Sequence, residues 1–279
     1  MKFKCREFPG MEFETKEAMF THLKANLPHI YELKRMEIKF SDSRPMSDFK
    51  TKSDGIAKGN GLEKGYIYPV INTTKYMDSH NDVHMDGIWD VSAKAKSNKV
   101  YYLANHNLEV GSIIAFPKDV EVFVKEVSWR SLGANFTGKT QALMFKISEK
   151  KIRNGQAREI IDEKIDIEHS VRMRYVKMFF AVDSEEEGFK AEKANWDKHI
   201  NTIINSARAK EVGYFWGIEE AEIYKEGSMV IAGSNDVTPM IYPKSTPDPS
   251  NPDNEDTDPS LTDSQKQKRA DELKRRRVY

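Results

Sequence analysis

The spacing of apolar and polar residues predicts two short helices near the start of the chain. Four apolar residues recur at helical spacing within residues 15–35: Phe20, Leu23, Leu27 and Ile30. Thr15 is placed to cap the first helix, and Glu17 lies in the first turn, where a negative charge is favourable. Pro28 lacks a backbone donor, so we predict that it divides the segment into two helices.

Strand signals dominate from Gly65 to about Pro239. Short runs rich in β-branched and aromatic residues, most of them bounded by turn residues, predict strands at 66–71, 100–104, 112–116, 142–145 and 171–182. Helices are fewer and are predicted at 118–127 and 190–209. Many strands and few helices, without regular alternation, indicate an α+β domain around a mostly antiparallel sheet or barrel.

Composition divides the chain into three parts. Residues 1–64 form an N-terminal helical segment and a polar connector (42–64), and residues 65–242 form the core domain. In the last part, 243–279, a proline-rich acidic stretch precedes a basic stretch, and neither has enough apolar surface to offset its ordering entropy. We predict a disordered linker at 243–262 and a short charged helix or arm at 263–277, serving either as a solvated tail or as a docking element.

The overall composition excludes several classes of protein. Lysine and arginine number 44, as do aspartate and glutamate, so the zero net charge offers no electrostatic attraction for nucleic acid or an anionic membrane. Cys5 is the only cysteine, which excludes a disulfide framework and a multi-thiolate zinc site. The longest apolar run, 178–182, is far shorter than the ~20 residues of a membrane span. We expect a soluble cytoplasmic protein, and the sequence indicates no cofactor.

His106 is the first candidate for catalytic chemistry. It follows the apolar run 100–104, at the point where a predicted strand runs out into a loop. A neutral imidazole at such a position is suited to act as a general base near neutral pH. The alternative is a histidine at the edge of the core that is bonded to backbone.

Strand alternation makes Ser170 the candidate nucleophile. It predicts that His169 points into an apolar layer, while Ser170 shares the opposite face with Arg172 and Arg174. A hydroxyl that shares a strand face with two arginines suits a nucleophile whose transition state becomes anionic. The same pattern is also typical of an ordinary exposed serine on an amphipathic strand.

A metal site is a competing interpretation of the segment 78–86. His80 and His84 are four residues apart, and on a helix they would share a face with Asp78, Asp82 or Asp86. The segment is rich in Asp and Asn and is predicted as a loop, so it contains ligand types without a ligand spacing.

Three segments, in order along the chain, resemble the prohead (procapsid) maturation proteases of tailed phages. The first is 72–89, an Asp-rich turn followed by Gly87 and aromatic Trp89, and it precedes the strand that ends at His106. The second, 168–176, resembles the nucleophile strand of that family. The third, 226–235, resembles the closing strand, and the resemblance covers about residues 11 to 240.

The resemblance implies a fold, an activity and partners. The fold would be related to the herpesvirus assemblins, a mostly antiparallel β-barrel-like core with surrounding helices. The activity would be that of a serine endopeptidase without a cofactor, which cuts segments of scaffold and capsid protein and then itself. Its partners would be the major capsid protein and the scaffold, inside the assembling procapsid in the host cytoplasm.

The resemblance also assigns roles to residues. It implies Ser170 as nucleophile, His106 as base and Glu226 as the third member, although Glu220 and Glu222 lie close by and assemblins use a second histidine instead. The family commonly has glycine two residues after the nucleophile, where Arg172 stands here. An arginine at that position would narrow the substrate groove or assist the oxyanion, with Arg174 as a second donor.

A protein of another class fits the same residues. A non-catalytic capsid-assembly or scaffolding protein would keep the fold without turnover, and both the arginine in place of glycine and the uncertain third member leave this alternative open. A hydrolase with a metal bound by His80 and His84 is the third hypothesis.

Overall fold

The computed structural model describes residues 2–36, 58–59 and 62–243, with the backbone alone at 58–59. The predicted connector is therefore largely outside the described residues, and so are the linker beyond Pro243 and the basic arm. The described residues up to Pro243 form one compact unit. The helices of the described residues are α1 Lys16–Ala25, α2 Leu27–Met36, α3 Asp90–Lys96, α4 Gly155–Asp162, α5 Lys190–His199 and α6 Ser206–Val212.

The strands form two sheets. Their bounds are β1 Lys58–Gly59, β2 Tyr66–Thr73, β3 Asp82–His84, β4 Tyr101–Ala104, β5 Ile113–Ala115, β6 Glu121–Ser128, β7 Lys139–Ser148, β8 Glu168–Val182, β9 Tyr214–Val230 and β10 Met240–Pro243. One sheet has the order β1-β10-β2-β7-β6. The other has the order β3-β9-β4-β5, with β8 paired along the opposite edge of β9. Of the eight strand pairs within the described ranges, five are antiparallel.

The two N-terminal helices form as the apolar spacing predicts. The Thr15 hydroxyl accepts a hydrogen bond from the backbone N–H of Ala18 at 3.1 Å and caps α1. Asn26 separates α1 from α2, and Pro28 lies in the first turn of α2, where its missing N–H costs no helical hydrogen bond. The apolar side of α1 enters the same core as β9, where Phe20 packs edge-on against Tyr214.

The 17-residue strand β9 organises the second sheet. Its first half pairs in parallel with β3, its second half pairs in parallel with β4, and β8 runs antiparallel along its other side. At Gly227 it approaches the first sheet so closely that a Cβ atom would lie 2.8 Å from the Phe145 ring and 3.0 Å from Ile71. A side chain larger than hydrogen would therefore push the two sheets apart.

The α+β class is confirmed, with two corrections to the detail. The two sheets do not close into a barrel within the described residues. The helix predicted at 118–127 is wrong, because β6 occupies most of it and pairs residue by residue with β7. The segment contains Val120, Val122, Val124 and Val127, and β-branched residues favour the pleated surface of a sheet over a helix.

The other predicted elements agree with the structure in type. Each of the five predicted strands overlaps one of β2, β4, β5, β7 and β8. The helix predicted at 190–209 is divided into α5 and the start of α6. No helix within the described part of the chain has the length and apolar character needed to cross a membrane.

Candidate functional site

His106 lies just beyond the end of β4, in a sharp turn of the backbone. Asn105 and His106 both have φ near +55°, in the left-handed region that residues other than glycine rarely adopt. Such residues cost about 1–3 kcal/mol each and persist where surrounding contacts hold them. The backbone N–H of Asn105 donates to the carbonyl of Met229 at 2.9 Å, and that of His106 donates to Ser228 Oγ at 3.1 Å.

The His106 ring is held by a buried carboxylate. His106 Nδ1 lies 2.7 Å from Oε1 of Glu226, a residue with no exposed surface, and the carboxylate requires that Nδ1 carries the proton. The Ser228 hydroxyl donates to the other carboxylate oxygen at 2.6 Å. Glu226 therefore fixes the ring tautomer and leaves Nε2 as the basic nitrogen.

Ser170 lies on β8, directly opposite Ser228 of β9. Directly opposed residues of an antiparallel pair have Cβ atoms about 4.5–5.5 Å apart and on the same face of the sheet. The Ser228 hydroxyl is hydrogen-bonded to both His106 and Glu226. The Ser170 hydroxyl is the second hydroxyl at this position, on the neighbouring strand. The described residues contain no hydrogen bond between the Ser170 hydroxyl and the His106 ring.

Ser170 is more buried than strand alternation predicts. Only 7% of it is exposed, whereas the pattern predicts a side chain that points outward among charges. The charged neighbours are present, because Arg172 and Glu226 lie on the same side of the strand pair. The expectation of an exposed face fails because these groups are themselves buried.

Arg172 joins the site, and Arg174 does not. The Arg172 guanidinium donates from Nε to Glu226 Oε1 at 3.1 Å and from Nη2 to the carbonyl oxygen of His106 at 2.7 Å. Arg174 is exposed and stacks on the Tyr224 ring, with its guanidinium carbon 3.9 Å from the ring centroid. The structure thus separates the two arginines that the sequence places on one face.

An irregularity in β9 accounts for this separation. Val171 pairs with Gly227, but Met173 pairs with Ile223, so three residues of β9 stand opposite Arg172 alone. Lys225, in the middle of the three, has a φ of 68°. This bulge turns Glu226 toward the Arg172 side chain and removes regular alternation from the face.

The two other acids considered for the third position lie away from His106. Glu222 pairs with Lys96 at 2.6 Å, and Glu220 pairs with Lys177 at 3.0 Å. Of the three, Glu226 is the acid that contacts His106.

His169 belongs to the core, as the alternation predicts. It is 1% exposed, stacks on Tyr102, and its Nδ1 lies 2.8 Å from the carbonyl oxygen of Thr238. Burial lowers the pKa of His169 to about 4, so its ring is neutral at physiological pH.

The structure does not support the metal interpretation of residues 78–86. Residues 82–84 form β3, so His80 and His84 do not share a helix face. His84 Nδ1 lies 3.0 Å from the side-chain oxygen of Asn72 and is engaged in a protein hydrogen bond. Across the described residues, no group of three or more His, Cys, Asp or Glu side chains is arranged to hold a metal ion.

This segment instead forms a buried polar cluster. Asp82 accepts from Lys34 Nζ at 2.5 Å and from the Tyr175 hydroxyl at 2.7 Å, and it joins α2 to the second sheet. Burial, together with the charge of Asp82, raises the pKa of Asp78 to about 6. Burial lowers the pKa of His84, against the opposing effect of the two carboxylates.

Sequence reasoning missed two members of these clusters. Ser228 is a buried serine two residues after Glu226, and the Glu-x-Ser spacing on one strand face was the available signal. Lys34 carries no local signal, because the pattern of α2 does not distinguish a lysine that reaches a buried carboxylate from an exposed one.

Comparisons of the chain with protein-family models, with curated proteins and with solved structures find no match.

Proposed function

We propose that the chain is a serine endopeptidase in which Ser170 is the nucleophile, His106 the general base and Glu226 the acid that orients the base. The observation that carries the proposal is the 2.7 Å contact between His106 Nδ1 and the fully buried Glu226 carboxylate, beside the strand that carries Ser170. A base held in one tautomer by a buried acid, next to a hydroxyl, is the arrangement that acyl transfer requires.

The proposed reaction proceeds in two steps. His106 Nε2 removes the Ser170 proton as the hydroxyl oxygen attacks the scissile carbonyl, and the imidazolium then protonates the leaving amine. Water, deprotonated by the same nitrogen, hydrolyses the acyl-enzyme and restores Ser170. Glu226 balances the transient positive charge on the ring throughout.

Hydrogen bonds between a nucleophile and its base are often long before substrate binds and tighten in the substrate complex. We expect the Ser170–His106 contact to form in the same way.

Because Arg172 is already bonded to Glu226 and to the His106 carbonyl, we assign the oxyanion to backbone N–H groups near Ser170 rather than to Arg172 or Arg174.

The resemblance of three segments to prohead maturation proteases supports a finer proposal. We propose an assemblin-like core, with scaffold and capsid-protein segments as substrates and a place inside the assembling procapsid. Removal of the tail beyond Pro243 by self-cleavage is part of this proposal. Incubation with the capsid protein, followed by mapping of the termini of both proteins, tests it, and an intact Tyr279 together with uncut capsid protein would contradict it.

A fluorophosphonate probe followed by intact-mass spectrometry tests the nucleophile. The wild-type protein should gain one adduct, and fragmentation should place it on Ser170. Ser170→Ala should abolish labelling, and His106→Ala should reduce it to a similar extent, because the two residues act as a unit. Ser184→Ala is a matched control, since Ser184 is also buried, at 6% exposure, but lies outside the site.

The same experiment addresses the non-catalytic alternative. An assembly protein of the same fold would remain unlabelled at Ser170 both alone and with capsid protein added. Full labelling of Ser170→Ala would show that the nucleophile is wrongly assigned.

A further inference from the structure

Arg172 has a buried guanidinium that contacts both His106 and Glu226. It is 7% exposed and makes two directed hydrogen bonds, to Glu226 Oε1 at 3.1 Å and to the His106 carbonyl oxygen at 2.7 Å. An arginine this buried is normally paired, and its planar fork is suited to hold two acceptors in fixed positions. Both acceptors here belong to the His106–Glu226 pair.

The backbone of His106 is held on both sides by side chains of this site. Its N–H donates to Ser228 Oγ, and its carbonyl accepts from Arg172 Nη2. The residue has a φ of 55°, a conformation that costs free energy and needs outside support. Because the direction of the imidazole follows from this backbone, the Arg172 contact helps to set where the ring points.

Arg172 also contacts the carboxylate that holds the ring. Its Nε lies 3.1 Å from Glu226 Oε1, the same oxygen that lies 2.7 Å from His106 Nδ1. The guanidinium therefore helps to fix the oxygen against which the ring is oriented.

We propose that Arg172 is a positioning residue of the site: it clamps the His106 backbone and shares the Glu226 carboxylate, so that the ring is correctly aimed. Its role in catalysis depends on the proposed peptidase function, whereas its effect on the ring does not. This role accounts for Arg172 at the position where the resembled family commonly has glycine.

Arg172→Gln tests the proposal, with Arg174→Gln as the matched control on the same strand. Nitrogen-15 NMR of histidine-labelled protein reports the tautomer and hydrogen bonding of each ring, and His106→Gln identifies the His106 signals among those of the seven histidines. We expect the Nδ1 signal of His106 to shift in Arg172→Gln, because both the His106 carbonyl and Glu226 Oε1 lose a donor, and to be unchanged in Arg174→Gln.

A second readout is the rate of probe labelling at Ser170. In Arg172→Gln it should fall by roughly 10²-fold, as expected for a misaimed group. Arg172→Lys keeps a donor and the charge without the fork, so it should restore part of the labelling rate. It is also the second variant if Arg172→Gln fails to fold.

The outcomes separate the two proposals. A His106 ring in folded Arg172→Gln with the wild-type nitrogen shifts would overturn the positioning role. Absence of Ser170 labelling in the wild type, together with the expected ring response in Arg172→Gln, would overturn the peptidase function and leave the positioning role in place.

Discussion

Replacement of Glu226 by glutamine is the sharpest test of how the site is built. The carboxylate is fully buried and accepts three hydrogen bonds, from His106 at 2.7 Å, Ser228 at 2.6 Å and Arg172 at 3.1 Å. Glutamine has nearly the same shape, so the substitution removes the charge and one acceptor without leaving a cavity. Any effect therefore reports electrostatics and hydrogen bonding rather than packing.

The structure sets the size of the expected effects. Removing one partner of a buried ion pair typically costs about 3–5 kcal/mol, because the remaining charge, here on Arg172, is left in a desolvated site. In a serine–histidine–acid site, replacing the acid by its amide lowers the rate by roughly 10⁴-fold, because the histidine is held in the wrong tautomer. We expect effects of these sizes on unfolding free energy and on probe labelling of Ser170.

Glu222→Gln is the matched control on the same strand. Glu222 pairs with Lys96 but is 44% exposed, so the loss should be about 0–1 kcal/mol. Urea unfolding followed by tryptophan fluorescence measures both variants against the wild type. If Glu226→Gln unfolds within about 1 kcal/mol of Glu222→Gln and labels at the wild-type rate, the assignment of Glu226 is refuted.

Two further predictions concern stability away from the proposed catalytic residues. Lys34→Met should lower the unfolding free energy by about 3–5 kcal/mol, because it removes the ammonium from the buried Asp82 carboxylate. The double variant with Asp82→Asn should recover part of this loss. Urea midpoints of the single and double variants measure the effect, and additive losses would contradict the prediction. The pKa of His169 falls from 6.5 to about 4 on folding, so the unfolded chain binds the extra proton and stability is lost as the pH falls from 6.5 to 4. The contribution is about 3 kcal/mol, from 1.36 kcal/mol per pKa unit. The difference in unfolding free energy between wild type and His169→Asn, measured across this range, should change with pH; a constant difference would show that His169 does not titrate in this way.

The elements of the fold were predictable where local pattern and tertiary context agree. Thr15 marks the start of α1, and Pro28 lies in the first turn of α2. Both were predictable because capping and proline geometry act within a few residues. The segment 118–127 was mispredicted because its valines have a weak preference as single residues, and pairing with β7 decided the outcome. Strand pairing across the chain is not visible in any window of the sequence.

The site also contains residues that local pattern predicts and residues that it does not. The position of His106 at a strand end follows from the apolar run before it, and the burial of His169 follows from alternation. The clamp by Arg172 could not be predicted, because it depends on the bulge in β9, and a bulge shifts the pairing register without a clear local signature. Alternation alone would have treated Arg172 and Arg174 alike.

The parallel pairing of β4 with β9 has a consequence for the order of events during synthesis. His106 and Glu226 are 120 residues apart in the chain, and the strand that carries Glu226 and Ser228 also supports the His106 turn. At about 5–20 residues per second, a ribosome needs roughly 6–24 s to travel between the two. During that interval the histidine has neither its acid nor its backbone support, so a nascent chain cannot assemble the site until almost the whole core has been made. For the proposed peptidase, delayed completion of this kind would protect the chain and its neighbours from premature cleavage.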